Sequence, residues 1–253
     1  MFNKYYNQFI VKNNLEKYLH LLYSFYLYLL SLKNIFFYHL NFKTSFSSFN
    51  QDIWIANNIF QNKKKGFFID VGAYDGISNN NTILFEKFFK WKGYCIEPNK
   101  KSFNKLKKYR KSFLVNAAIS NFLKKRVYFY EDGQLSKIYN KNNHFIKKKH
   151  KEKLSVIKNL KFSQFQKKIV DFIDIDCEGF EEEVIKSIDF KKKIKCILIE
   201  RPNLKTHQIL KKEEMIYVKR FLFDYVYVNN SFFKKKFKEK KYDLVPKRTF
   251  GMM

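Results

Sequence analysis

Two stretches of the sequence combine a short apolar run with the residue types that bind cofactors or move protons. "GFFIDVGAYDG" ends with Gly72 and Gly76, and "VDFIDIDCEGFEEE" carries Asp176 and Glu178. Such apolar runs predict strands buried on both faces of a parallel sheet, and ligands bind beyond the carboxyl ends of these strands. Glycine at a strand end lets the backbone approach a ligand closely. The sequence therefore predicts a ligand site where these strands end.

A third strand end adds an acidic residue at an informative distance. In "CIEPN", Glu97 stands 25 positions after Gly72, close to the spacing at which a carboxylate on a second strand binds ribose hydroxyls. The glycine turn alone is weak evidence, because many proteins use one to pack a strand against a helix. Together the turn and the acid favour an adenosine-containing ligand. Asn116 on the third strand is a candidate for contact near the adenine, followed by Asp132.

The carboxylates after the later apolar run have three roles open to them. Asp176 or Glu178 could be the general base that takes a proton from an acceptor hydroxyl. The same side chains could bind a divalent cation such as Mg²⁺, for which carboxylate oxygens are suitable ligands. They could also cap the following helix, whose N-terminus favours negative charge. His207, which follows "IERPN", is a further candidate base.

Short apolar runs alternate with amphipathic stretches after Phe49, which is the pattern of βαβ units around a parallel sheet. The polar, lysine-rich region from Glu131 to Lys168 is where we expect an insertion or an active-site lid. The predicted strands are Phe67–Val71, Tyr94–Ile96, Phe113–Ile119, Val127–Tyr130, Ile169–Ile175, Cys196–Ile199 and Tyr225–Val228. The predicted helices are Thr82–Trp91, with Asn81 or Thr82 as N-cap, Ser102–Tyr109, Glu181–Ile188 and Glu213–Phe223.

The N-terminal part has a different composition. "YLHLLYSFYLYLLSL", residues 18–32, is shorter than the roughly 20 apolar residues of a spanning helix and contains His20. It predicts a helix packed on the domain or lying at a membrane surface, and a signal anchor stays open. We expect a helical extension over residues 1–45, a domain over residues 46–253, and peripheral membrane contact through residues 18–40. The expected location is cytoplasmic, with membrane association through this segment.

The chain is strongly basic, with 51 Lys and Arg against 23 Asp and Glu in 253 residues and a net charge of +28. Such a charge would normally indicate a nucleic-acid or anionic membrane partner. The lysines are dispersed, however, and the joint abundance of Lys, Asn, Phe, Ile and Tyr is typical of AT-rich coding sequence. The sequence therefore does not favour a nucleic-acid partner. The three cysteines have no metal-site spacing and predict reduced thiols.

The two motifs, in this order, resemble the FkbM family of S-adenosylmethionine-dependent methyltransferases. The resemblance runs from Ser48 to about Val228 and includes "GFFIDVGAYDG", "CIEPN" and "VDFIDIDCEGFEEEVI". It implies an α/β class I methyltransferase fold, Rossmann-like, with helices on both faces of a seven-stranded sheet that has one antiparallel strand. It also implies that Glu97 holds the ribose. The residues it places around the methionine part of the cofactor are Asp70, Gly72, Ala73 and Gly76.

The function expected from this resemblance is methyl transfer from S-adenosylmethionine to a hydroxyl of a sugar, glycan or small metabolite. Asp176, Glu178 and His207 are the candidate catalytic residues, and a divalent metal is not required. Many relatives have His where this chain has Phe180, so any catalytic role of that His would be vacant here or taken by another residue. Two alternatives are a metal-dependent glycosyltransferase that uses Asp174 and Asp176, and a non-catalytic basic nucleic-acid-binding protein. Both leave one of the two motifs unexplained.

Overall fold

The computed structural model describes residues 21–22, 24–131, 136–138, 154–233 and 236–243. Within these residues the strands form two sheets, a large one of seven strands and a small one of four. The strands are β1 (Phe67–Val71), β2 (Lys92–Ile96), β3 (Phe113–Val115), β4 (Ala118–Ile119), β5 (Arg126–Tyr130), β6 (Lys137–Ile138), β7 (Leu154–Leu160), β8 (Ile169–Ile175), β9 (Lys193–Glu200), β10 (Met215–Phe221) and β11 (Asp224–Asn229).

The large sheet has the strand order β10-β11-β9-β8-β1-β2-β3. Strand β11 runs antiparallel to both of its neighbours, and every other pair is parallel. This arrangement confirms the predicted α/β fold with seven strands and one antiparallel strand. The carboxyl ends of β1, β2, β8 and β9 therefore lie at one edge of the sheet, which is where ligands bind in this architecture.

Helices cover the sheet. They are α1 (24–39), α2 (Gln51–Trp54, continued by a π-helical turn to Ile59), α3 (Ile83–Phe89), α4 (Lys100–Tyr109), α5 (Glu181–Lys186) and α6 (Leu204–Lys212). At α3 the capping oxygen belongs to Asn80, which accepts hydrogen bonds from the backbone N–H groups of Thr82 and Ile83, both at 2.9 Å. Thr82, one of the two predicted caps, does occupy the N-cap position, but its side chain makes no capping hydrogen bond.

The sheet is buried on both faces because successive strand residues point in opposite directions. Phe68 and Phe172 pack with α3 and with Trp91 in one apolar cluster. Ile69 and Ile173 pack on the other face, where α5 and α6 contribute. The continuous apolar runs of the sequence thus form the centre of the domain, as predicted.

The N-terminal helix α1 is fastened to the domain through its second half. Asn34 is buried and donates from Nδ2 to the carbonyl oxygens of Phe46 at 2.6 Å and Ile77 at 3.2 Å. Lys87 donates from Nζ to the Tyr38 carbonyl oxygen at 2.7 Å. The half of α1 nearer the N-terminus exposes most of its side chains. Among the described helices, none has the length and apolar character needed to cross a bilayer.

The predicted helix over Glu213–Phe223 is wrong. The chain is helical earlier, in α6, and then forms β10, which pairs with β11 through a short turn at Leu222 and Phe223. The segment "MIYVKRF" is rich in the β-branched and aromatic residues that fit a sheet. Met215 and Tyr217 are buried on one face of the large sheet, and this tertiary packing overrides the helical appearance of the flanking charges.

The single strand predicted over Phe113–Ile119 is also wrong, because the chain changes sheets within it. Strand β3 is at the edge of the large sheet, and β4 pairs with β7 in the small sheet, whose order is β4-β7-β5-β6. Asn116 lies at the break. Part of the predicted insertion is therefore a strand of the small sheet, while Asp132 and residues 139–153 lie outside the described residues.

Candidate active site

The loops after β1 and β8 touch at the carboxyl edge of the large sheet. Asp70 and Asp174 are register partners on these neighbouring strands, and the backbone N–H of Asp176 donates to the Val71 carbonyl oxygen at 3.0 Å. A Cβ atom on Gly72 would lie 1.7 Å from the carbonyl oxygen of Asp176. The two motifs that the sequence singled out therefore meet in space.

Both glycines of the first motif are required by the packing of the protein itself. Gly72 has φ +90°, and its N–H donates to the Ile96 carbonyl oxygen at 3.0 Å. Gly76 has φ +83°, and a Cβ there would lie 2.6 Å from Arg110 Cγ and 2.7 Å from Leu106 Cδ1. The loop contact is thus one reason for glycine at position 72, and the approach of a ligand to its backbone stays a prediction.

Asp70 is part of a buried polar network at the start of α3. Its Oδ2 accepts hydrogen bonds from Thr82 Oγ1 at 2.6 Å and Asn80 Nδ2 at 3.0 Å, and lies 3.5 Å from Arg110 Nη1. Arg110 also donates to Glu86 at 3.0 Å, so one guanidinium joins β1, α3 and the end of α4. These contacts give Asp70 a structural role, and its contact with a cofactor stays a prediction.

Glu97 is held rigidly at the end of β2. One carboxylate oxygen accepts the backbone N–H of Tyr74 at 2.8 Å, and the other accepts that of Asn99 at 2.6 Å. Asn116 donates to the carbonyl oxygens of Glu97 at 2.8 Å and Pro98 at 3.0 Å, so it fixes the backbone of the same turn. Burial raises the pKa of Glu97 to about 7, although the two backbone hydrogen bonds oppose this shift.

Ala73 completes the loop that faces Glu97. It is buried, and its N–H donates to the Ile96 carbonyl oxygen at 3.1 Å. Because Tyr74 follows it and donates to Glu97, the first motif and the acidic residue on β2 form one hydrogen-bonded unit. The structure thus brings Gly72, Ala73 and Glu97 together, as the sequence predicted for a common ligand site.

Three carboxylates form a cluster beyond β8 and β9, called here the acidic trio: Asp176, Glu178 and Glu200. Their nearest oxygens all lie within 4.8 Å of one another. Asp176 is exposed to solvent, whereas Glu178 and Glu200 are half-buried. Desolvation by the protein atoms around Asp176, followed by the charges of Glu200 and Glu178, raises the pKa of its carboxyl group above its ordinary value.

Sequence reasoning missed Glu200. Its signal was nevertheless present, since Glu200 ends the buried run "CILIE" as Glu97 ends "GYCIE". Glu200 pairs in register with Asp224, the first residue of the antiparallel β11. The carboxylate of Asp224 accepts from Gln51 Nε2, and burial followed by the charge of Glu200 raises the pKa of Asp224 to about 7.

The loop that carries Asp176 and Glu178 is shaped by Glu181. Its Oε1 accepts the backbone N–H groups of Gly179 at 2.9 Å and Cys177 at 3.2 Å. The N-cap position of α5 belongs to Phe180, which makes no side-chain cap hydrogen bond. Asp176 therefore does not occupy the capping position that one hypothesis from the sequence assigned to it or to Glu178.

Phe180 fastens this loop to the small sheet. It is buried in a cluster with Ala118, Val127 and Phe129, and its ring meets Phe122 edge to face with centroids 6.2 Å apart. The aromatic side chain at this position therefore has a packing role.

A cavity of about 230 Å³ opens beside the acidic trio, at the beginnings of α5 and α6. Gly179 and Arg201, two of its lining residues, directly follow Glu178 and Glu200 in the chain. Arg201 Nε lies 3.2 Å from Glu200 Oε1. The other lining residues are Phe122, Phe180, Glu181, Glu182, Glu183, Asn203 and Thr206.

His207, the other candidate base, lies on α6 among tyrosines. Its Nδ1 is 3.1 Å from the Tyr227 hydroxyl oxygen, and its ring stacks on Tyr242 with centroids 4.1 Å apart. Burial lowers the pKa of His207. These contacts account for the residue without a catalytic role, and its action as a base stays a prediction.

Comparison with known proteins gives one family and several structures. No curated protein matches the chain. Similar structures include a methyltransferase FkbM from Methylobacillus flagellatus KT, with 13% identity and a TM-score of 0.42 over 65% of this chain and 43% of that one. Another is precorrin-6y C5,15-methyltransferase from Geobacter metallireducens GS-15, with 12% identity and a TM-score of 0.36 over 66% and 81% of the two chains.

A third similar structure is the N-terminal domain of human METTL16 in complex with SAH, with 15% identity and a TM-score of 0.39 over 71% of this chain and 69% of that one. The chain spans less than half of the Methylobacillus protein. Its sequence matches the family described as methyltransferase FkbM domain over residues 70–239, which is more than half of the 253 residues and includes Gly72, Gly76 and the whole second motif. The chain therefore belongs to the FkbM methyltransferase family.

Proposed function

We propose that the protein transfers a methyl group from S-adenosylmethionine to a hydroxyl group of an uncharged acceptor, such as a sugar. The observation that carries this proposal is the contact between Gly72 and Asp176. It joins the loop beside Glu97, which suits the cofactor, to the acidic trio, which suits the acceptor.

The residues at the sheet edge fit the proposed cofactor. Each oxygen of Glu97 holds one backbone N–H and retains acceptor capacity, so ribose hydroxyls can donate to it. When bound, S-adenosylmethionine supplies a methyl group on a positively charged sulfonium. The acidic side chains of Asp174, Asp176 and Glu97 lie at this edge with raised pKa values, so a bound cation would favour their ionised forms and be stabilised by them. The backbone of Gly72 and Ala73 would border the amino-acid end.

The acidic trio provides the base that an alcohol acceptor needs. Asp176 or Glu178 accepts the proton that the acceptor hydroxyl loses while its oxygen takes the methyl group. The raised pKa of Asp176 makes its carboxylate a stronger base than an ordinary aspartate. Glu200 helps through its negative charge, which is one cause of that shift.

A metal-assisted version of the same reaction uses the same three side chains. Their oxygens are close enough to bind one divalent cation. Such a cation would orient the acceptor and favour its deprotonated oxygen. The two versions differ in whether activity survives chelation.

The cavity beside the acidic trio suits a neutral polyol. Phe122 and Phe180 supply aromatic carbon, and Asn203, Thr206 and the carboxylates of α5 supply hydrogen-bonding groups. Glu181, Glu182 and Glu183 would repel a phosphate group more strongly than Arg201 could attract it. We therefore propose that phosphorylated acceptors and nucleic acids are poor substrates, although the chain as a whole is basic.

The proposal is tested with a cofactor that carries a radiolabelled methyl group. We expect label to transfer to neutral glycosides, with little transfer to the matching sugar phosphates or to RNA. Calorimetry should detect binding of S-adenosylmethionine and none of a nucleotide sugar. Tight nucleotide-sugar binding without binding of the sulfonium would overturn the cofactor assignment, and preferential labelling of phosphorylated acceptors would overturn the acceptor assignment.

A further inference from the structure

Helix α1 presents apolar side chains to solvent along one stripe. Exposed residues recur at helical spacing, at Phe25, Leu29, Leu32 and Phe36, each between 45% and 59% exposed. The described residues expose seventeen large apolar side chains, of which ten lie between residues 21 and 42. A surface helix normally turns polar residues to water. This stripe therefore indicates a surface that is covered when the protein works.

Helix α1 cannot rotate to bury this stripe against the rest of the protein. The opposite face is held by the Asn34 bonds to Phe46 and Ile77, and by Tyr38, whose hydroxyl donates to the Tyr109 carbonyl oxygen at 2.8 Å. Rotating α1 about its axis would break these bonds and expose Asn34. The cover must therefore come from outside this part of the chain.

The charge around the stripe identifies the kind of cover. No acidic residue occurs between residues 17 and 51, whereas Lys33 and Lys43 lie in this segment. The Tyr109 that contacts α1 ends α4, which exposes Lys100, Lys101, Lys105, Lys107 and Lys108. A second copy of a chain with a net charge of +28 would be repelled. An anionic surface with an apolar interior satisfies both the stripe and the lysines.

We propose that α1 lies on an anionic membrane, with its exposed stripe among the acyl chains and the lysines of α4 near the headgroups. Tyrosine and phenylalanine are suited to this interface because they place apolar rings beside polar headgroups. Tyr26 and Tyr28 flank the stripe and are both exposed. This inference concerns where the enzyme works and does not depend on its acceptor.

The test is cosedimentation of the full chain with vesicles of phosphatidylcholine, with or without phosphatidylglycerol. We expect binding to the anionic vesicles that weakens as salt is added. The double variant Phe25→Gln with Leu29→Gln should lower partitioning by at least about tenfold, since each buried apolar side chain contributes on that scale. The matched control is Leu123→Gln, which changes an apolar residue that is 91% exposed outside α1.

Both variants alter exposed side chains, so their thermal midpoints should match the wild type. Equal vesicle binding by the double variant and the wild type would overturn the proposal, as would absence of binding to anionic vesicles. Light scattering tests the alternative that a second copy of the chain covers the stripe. A wild-type dimer that does not bind vesicles, and that the double variant converts to a monomer, would assign the stripe to a dimer interface and overturn the proposal.

Discussion

The carbonyl oxygen of Asp176 occupies the space next to Gly72 that any side chain would need, at 1.7 Å from an ideal Cβ position. The backbone N–H of Asp176 also donates to the Val71 carbonyl oxygen. The residue proposed as base is thus positioned by the loop proposed to border the cofactor. Positioning of this kind, which fixes two reactants in one geometry, is a large part of the catalysis of displacement reactions.

We expect Gly72→Ala to destabilise the protein much more than Gly179→Ala. Both glycines have positive φ, where alanine costs about 1–2 kcal/mol. Only Gly72 also faces a backbone atom, because a Cβ on Gly179 meets nothing within 4 Å. Thermal unfolding should show a loss of a few degrees for Gly179→Ala, by the usual scaling for a domain of this size, and a much larger loss for Gly72→Ala. Equal losses would contradict the loop contact.

Replacing Asp176 by Asn should affect turnover rather than cofactor affinity. The amide keeps the shape of the side chain but cannot accept a proton, so turnover should fall by about 10²–10⁴. Calorimetry should find S-adenosylmethionine affinity within a few-fold of the wild type. Glu214→Gln is a suitable control, because Glu214 is exposed and belongs neither to the cavity lining nor to the acidic trio. Wild-type turnover in Asp176→Asn would remove this residue from the chemistry.

Chelation separates the two versions of the mechanism. If the acidic trio binds a divalent cation, EDTA should abolish methyl transfer, and Mg²⁺ or Mn²⁺ should restore it. If a carboxylate acts directly as base, EDTA should leave turnover unchanged. The measurement is label transfer to the best acceptor. Glu200→Gln removes a carboxylate ligand, so it should raise the Mg²⁺ concentration needed for half-maximal activity in the first case only.

The free energy of unfolding should fall as pH rises from about 5 to about 8. Glu97 and Asp224 have folded-state pKa values of about 7, above their ordinary values of 4.5 and 3.8. An acid with a raised folded-state pKa contributes stability that is fully present below its ordinary pKa and is lost as pH rises through about 7. Asp224→Asn should flatten this dependence, since its remaining side-chain oxygen can still accept from Gln51. A slope unchanged by this variant would contradict the shift.

A chain shortened to begin at Thr44 should keep the fold and the cofactor affinity, because the large sheet contains no residue before β1. A chain that begins at Phe46 should unfold at a lower temperature. It lacks Ser45, whose Oγ donates to the buried Asp52 at 2.6 Å, a hydrogen bond to a charged group worth about 1.5–3 kcal/mol. Scanning calorimetry compares the two. Unfolding of both would show that α1 belongs to the core.

The central strands could be predicted from sequence because their burial leaves an unambiguous pattern. "GFFIDV" and "VDFIDI" are continuous apolar runs that end in acidic residues and turns, and both became strands with the predicted ends. The site followed from the same pattern, since carboxyl ends of parallel strands meet at one edge. Glu200 was not predicted because it is a single acid after its strand and lies outside the dense acidic run of Asp174, Asp176 and Glu178, although it too stands at a strand end.

The other strands could not be predicted from short stretches of sequence, because they form by pairing with residues distant in the chain. The sequence of β10 is compatible with a helix, and its pairing with β11 makes it a strand. Likewise β4 belongs to the small sheet because it pairs with β7. The contact between Gly72 and Asp176 could not be predicted for the same reason, because the two residues are distant in sequence. Positive φ can be guessed from a glycine, but the atom that occupies its side-chain space cannot.

The antiparallel direction of β11 changes which surface turn matters to an engineer. This strand begins at the edge that carries the candidate site, so the turn before it, Leu222 and Phe223, borders Arg201. The Phe223 carbonyl oxygen accepts the Arg201 N–H at 2.8 Å. The Arg201 guanidinium lies 3.7 Å from the Phe223 ring centre. A library aimed at new acceptors should therefore diversify this hairpin tip together with the starts of α5 and α6, although it lies far along the chain from either motif.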